Sequence, residues 1–125
     1  QGAYNTAFEI WLTDSDNPTP KGITTEIMIW LDSQKATPAG DYKGSVEVEG
    51  AEYGLWIGSM DHWKYIAFKA EKPSGSGSLN LKSFFDELMR RREIPTDAWL
   101  SSIELGNEIT FGKGRTVVNA FNVER

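Results

Sequence analysis

Three short segments place a glutamate inside an apolar alternation: Ala7 to Leu12 (AFEIWL), Thr25 to Leu31 (TEIMIWL) and Leu105 to Thr110 (LGNEIT). In a strand, residues two apart share a face. Glu26 therefore lies beside Met28 and Trp30, with Ile27, Ile29 and Leu31 opposite. Asn5, Glu9 and Trp11 likewise oppose Phe8, Ile10 and Leu12. In the third segment Glu104, Gly106 and Glu108 oppose Ile103, Leu105, Ile109 and Phe111, with Asn107 the polar exception. One face of such a sheet is core, and the other carries carboxylates.

The remaining pattern extends this reading. Ala36 to Asp41 reads as a loop and Gly44 to Glu49 as a strand turning at Gly50, while Tyr53 to Ile57 and Trp63 to Lys69 continue the strands. Strands at short, regular spacing with turn residues between them favour an antiparallel sandwich over a parallel sheet. Lys72 to Ser78 is a seven-residue surface loop. Leu81, Phe84, Phe85, Leu88 and Met89 recur at helical spacing after a cap at Asn80 or Ser78, which predicts one amphipathic helix stopped at Ile94-Pro95. Arg90 to Arg92 sit at its C-terminal end, where cations complement the helix dipole. Two final strands follow, Trp99 to Phe111 and Thr116 to Glu124, around Gly112-Lys113-Gly114.

The 125 residues, 1–125, are one domain at most, with a composition of the soluble globular class. No apolar run approaches the ~20 residues of a spanning helix, so no membrane association is expected. The first residues, Gln1 to Asn5, hold neither a basic region nor an apolar stretch, so no signal peptide is expected here; a mature secreted chain reads the same. A net charge of −5 argues against nucleic acid as a partner. With one histidine and no cysteine, a thiolate zinc site and a histidine-based serine triad lack support. His62 is expected at the surface or an edge. Asp14-Ser15-Asp16-Asn17 opens like a calcium loop, but Thr19 and Thr25 stand where glycine and glutamate belong. No metal and no cofactor are expected.

A lone glutamate on the polar face of a strand is ordinarily solvated. Here Trp11, Met28 and Trp30 crowd the same face, and an exposed apolar face marks a binding groove. Sugar rings stack on indoles, so carboxylates beside tryptophans suit a carbohydrate cleft. A second layer covering these residues explains the pattern equally well, and the residues leave both readings open.

The segment Thr25-Glu26-Ile27-Met28-Ile29-Trp30-Leu31 resembles the E-[IL]-M-I-W segment of the glycoside hydrolase family 12 endoglucanases. Leu105-Gly106-Asn107-Glu108 is similar to that family's G-x-E segment. Asn5-Thr6-Ala7-Phe8-Glu9 resembles its N-V-A-Y-D, with Glu9 where aspartate is usual. The resemblance implies a nucleophile at Glu26, a general acid/base at Glu108, a supporting carboxylate at Glu9, and substrate contacts from Asn5, Trp11, Met28 and Trp30. It implies a jelly-roll β-sandwich and a retaining endo-β-1,4-glucanase secreted to meet a polymeric β-glucan. Family domains are longer, and the chain looks like their C-terminal half. It is expected to pair noncovalently with an N-terminal-half polypeptide. The competing readings are a noncatalytic glucan-binding sandwich and a structural interaction module, neither of which needs paired carboxylates.

Overall fold

The computed structural model describes residues 3–15, 22–72 and 79–111, with residue 3 and residues 107–111 described as backbone. Six strands and one helix follow in order: β1 (Ala3–Thr13), β2 (Ile23–Gln34), β3 (Asp41–Val48), β4 (Ala51–Met60), β5 (Trp63–Ala70), α1 (Leu81–Arg90) and β6 (Trp99–Phe111). The expected strand at Thr116–Glu124, the turn at Gly112-Lys113-Gly114 and most of the Lys72–Ser78 loop lie outside the described residues.

The fold is all-β with a single amphipathic helix, and the strands form one sheet in the order β3-β4-β5-β2-β1-β6. Four of its five pairings are antiparallel, and β2 pairs with β5 in parallel. Local spacing favours antiparallel pairing and misses this one. After β2 the chain crosses to the far edge as β3, then returns through two hairpins, so β5 reaches β2 running the same way. Glu49 and Gly50, at φ 53° and 81°, make the two-residue turn between β3 and β4. Positive φ at both positions matches the twist of the flanking strands. Asp61 and His62 turn β4 into β5, which leaves His62 exposed.

The alternation separates the two faces as the sequence requires. Ile10, Leu12, Ile27, Ile29, Val46, Val48, Leu55, Ile66 and Phe68 form the main core with Tyr53. Phe84 and Leu88, four apart on α1, bury into it. Phe84 meets Phe68 and Tyr53 edge-on, at ring separations of 4.9 and 5.2 Å. Each such aromatic pair contributes about 0.5–1.5 kcal/mol beyond area burial.

Asn80 caps α1, its side chain accepting from the Lys82 backbone N–H at 3.1 Å. The helix ends at Arg90, four residues before the expected stop at Ile94. Arg92 takes a left-handed conformation at φ 61°, which breaks the helix. Ile94 then turns inward as a buried core residue. Lys64 of β5 holds this exit, donating to the Glu93 backbone carbonyl at 2.9 Å and pairing with the Glu93 carboxylate.

Candidate active site

The face opposite the helix carries the glutamates. Register across β1, β2 and β5 sets Trp11 opposite Glu26 and Glu26 beside Tyr65; Glu9 lies opposite Met28 and Met28 beside Ala67. Glu9 is thus the diagonal neighbour of Glu26, a relation that spans about 7–8 Å in a sheet. Of the five tryptophans, Trp11, Trp30, Trp56 and Trp63 all stand on this face by register.

Glu26 is 8 % exposed. Burying a carboxylate is costly unless hydrogen bonds replace its water. Trp63 supplies one, donating from Nε1 to Glu26 Oε1 at 3.0 Å. Trp63 is itself held by Trp11, edge-on at 5.5 Å, and by His62, edge-on at 5.2 Å. Trp63 was not among the residues that the sequence singled out. Its alternation places it with Tyr65 and Ala67, but its bond to Glu26 spans 37 residues through the parallel pairing of β5 with β2, which leaves no local mark.

Met28 and Trp30 are buried rather than open to solvent. They form a second, smaller core with Ala7, Tyr65 and Ala67, against which Trp56, Met60 and Ala36 pack. No second layer is needed to cover them. Large side chains lie across small ones at Ala7 and Ala67, and the Tyr65 hydroxyl donates to Met28 Sδ at 3.4 Å. Trp30 Nε1 is buried without a hydrogen-bond partner among the described residues. The exposed aromatic surface lies to either side, on half-buried Trp11, Trp63 and Trp56. Beside the β4–β5 turn an open pocket of about 470 Å³ is lined by Gly58, Ser59, Asp61, His62 and Trp63, among others.

On β6 the register sets Glu104 opposite Glu9, Gly106 opposite Ala7 and Glu108 opposite Asn5. Asn5 is buried. The expected trio of carboxylates is therefore only partly gathered. Glu9 and Glu26 are diagonal neighbours, whereas position 108 lies six places along β1 from the level of Glu26, about 20 Å at strand rise. Among the described residues β6 is the outer strand of the sheet, paired with β1. Among the described residues, no group of three or more His, Cys, Asp or Glu could hold a metal ion.

The sequence and its fold match a known family. The family model described as Glycosyl hydrolase family 12 covers residues 2–125. The chain belongs to glycosyl hydrolase family 12. Among its family 12 relatives, Endoglucanase S of Pectobacterium parmentieri is 32% identical over 130 residues, covering 98% of this chain and 49% of its own length. The probable cellulase Cel12b of Mycobacterium tuberculosis is 33% identical over 109 residues, 86% of this chain and 71% of that protein. A family 12 xyloglucanase from Bacillus licheniformis, solved in complex with ligand, superposes with a TM-score of 0.84 at 29% identity, over 90% of this chain and 51% of that one. The chain thus spans about half the length of Endoglucanase S and of that xyloglucanase. Its sheet belongs to the jelly-roll β-sandwich of the family.

Proposed function

We propose that the chain carries the catalytic face of a retaining endo-β-1,4-glucanase. Its substrate is a β-glucan polysaccharide, met outside the cell because a polymer of that size cannot cross a membrane. The observation that carries the reading is Glu26: a buried carboxylate on the sheet face, held by an indole N–H and flanked by aromatic rings. The endoglucanase and cellulase names of the relatives support the same reaction class.

In this scheme Glu26 attacks the anomeric carbon as the glycosidic bond breaks, and a second carboxylic acid protonates the leaving oxygen. That second group, now a carboxylate, takes a proton from water, which releases the sugar from Glu26. Glu108 fills the role by its motif, and Glu9, diagonal to Glu26, supports the nucleophile. A retaining pair needs its carboxyls about 5–5.5 Å apart. A shift of β6 by four positions would set Glu108 opposite Glu9, and an even-numbered shift preserves the strand's alternation. Strands added outside β6 by the N-terminal half supply the contacts that fix such a register.

Measuring Glu26→Ala in the complete domain tests the nucleophile. Turnover is expected to vanish and to return in part when azide or formate is added, since a small anion fits the space of the missing carboxylate. Unchanged activity would remove Glu26 from the mechanism.

A further inference from the structure

We propose that Tyr42 and Trp56 form a stacking platform for a glucosyl ring at the β3–β4 side of the cleft, an assignment that rests on the glucan reading above. Even-numbered residues of β3 face the core, as buried Val46 and Val48 show. Plain alternation would send Tyr42 there too. Instead β3 carries a bulge between Tyr42 and Gly44, where Gly44 stands at φ 109° and Lys43 has no partner across the ladder. The extra residue flips Tyr42 to the Glu26 face. It pairs there with Trp56, ring centres 4.8 Å apart.

Gly54 makes room for these rings, whose planes are tilted 53° to each other. A Cβ at that position would stand 2.7 Å from Trp56 Cζ3 and 3.2 Å from Tyr42 Cε1. The rings thus pack close to the β4 backbone at Gly54, where any larger residue would displace them. Tyr42 remains 56% exposed. Lys69 donates to the Ala36 carbonyl at 2.9 Å and holds its ammonium 6.0 Å from the Trp56 ring centre, beside any bound hydroxyls.

The platform continues the cleft. Met28, Ala67, Trp56 and Tyr42 form one row across β2, β5, β4 and β3. Trp56 is two strand spacings from the strand of Glu26, about 10 Å, so a glucan lying across the strands reaches it about two sugar rings from the reacting bond. The exposed face of Tyr42, backed by Trp56, suits the C–H face of an equatorially linked glucose. A substrate too short to extend past β5 would leave the platform empty.

The test measures cellohexaose and cellotriose binding by calorimetry, and turnover of both, in the complete domain and its Tyr42→Ala and Tyr42→Phe forms. Tyr42→Ala is expected to weaken cellohexaose binding by about tenfold, the scale of one aromatic stacking contact. Cellotriose binding should be unchanged, and Tyr42→Phe should restore the hexasaccharide. Equal cellohexaose affinity in Tyr42→Ala and wild type, or equal loss for both sugars, would overturn the platform. Wild-type binding without turnover would strike the hydrolytic reading alone and leave the platform standing. Absence of any cellohexaose binding by the wild type would overturn both.

Discussion

At Glu26 the sheet takes a carboxylate out of water and replaces part of its hydration with the Trp63 indole N–H. A hydrogen bond to a charged group contributes about 1.5–3 kcal/mol. Trp63→Phe keeps the ring and its contact with Trp11 but removes the donor. In the complete domain kcat/KM should fall about tenfold to a hundredfold, because Glu26 loses its hydrogen-bond donor. A Trp63→Phe enzyme with unchanged kcat/KM would show that the indole only fills space. This partner was hidden at the sequence level. The face shared by Glu26, Met28 and Trp30 follows from alternation, whereas Trp63 lies 37 residues from Glu26 on a strand paired in parallel. Burial of Met28 and Trp30 was equally hidden, since it depends on the small residues Ala7 and Ala67 on neighbouring strands.

The helix is the element whose contribution separates most clearly from the site. Phe84 and Leu88 are its buried pair, and Leu88→Ala should cost about 2–5 kcal/mol of stability in urea unfolding, the range for large-to-small core changes. A loss below 0.5 kcal/mol, on the scale of surface changes, would show that α1 does not dock as described. Glu87 adds a pH dependence. Partial burial pushes its carboxyl up, but hydrogen bonds from Arg91 and Arg90 outweigh this and hold it below the usual carboxylate range. A carboxyl lowered in the folded state stabilises the fold above its unfolded value of about 4.3, and that stabilisation disappears as pH falls through the folded value. Wild type should therefore melt above Glu87→Gln at pH 7, with the gap closing in strong acid; a gap independent of pH would exclude ionisation as its cause. The amphipathic spacing and the Asn80 cap were legible in sequence. The early stop was not, because it is set by the left-handed Arg92 and by burial of Ile94, both products of tertiary packing.

At the scale of the molecule, the sheet of the described residues has β3 on one side and β6 on the other. Trp99 and Leu100, at the start of β6, are each 49% exposed, and Phe8, Leu31 and Ile103 are only partly buried against the core. An edge strand offers unpaired backbone groups for another strand to join. The chain spans about half of Endoglucanase S, and the proposed completion of its sheet by N-terminal strands is testable. New reducing ends from soluble mixed-linkage glucan are expected when this chain is mixed with a polypeptide supplying those strands, and none from the chain alone. Equal activity in both would show that the described sheet suffices. The order of strands around β5 was beyond local reading, since a return crossover leaves no periodicity, while the two-faced character of the sheet was written in its alternation.

Trapping the reaction tests the central claim most directly. The complete domain, incubated with an activated 2-deoxy-2-fluoro-β-cellobioside and digested, can be mapped by peptide mass spectrometry. A covalent glycosyl adduct on Glu26 is the expected result, because a retaining enzyme passes through that ester. An adduct on any other carboxylate, or turnover of glucan with no adduct formed, would contradict it.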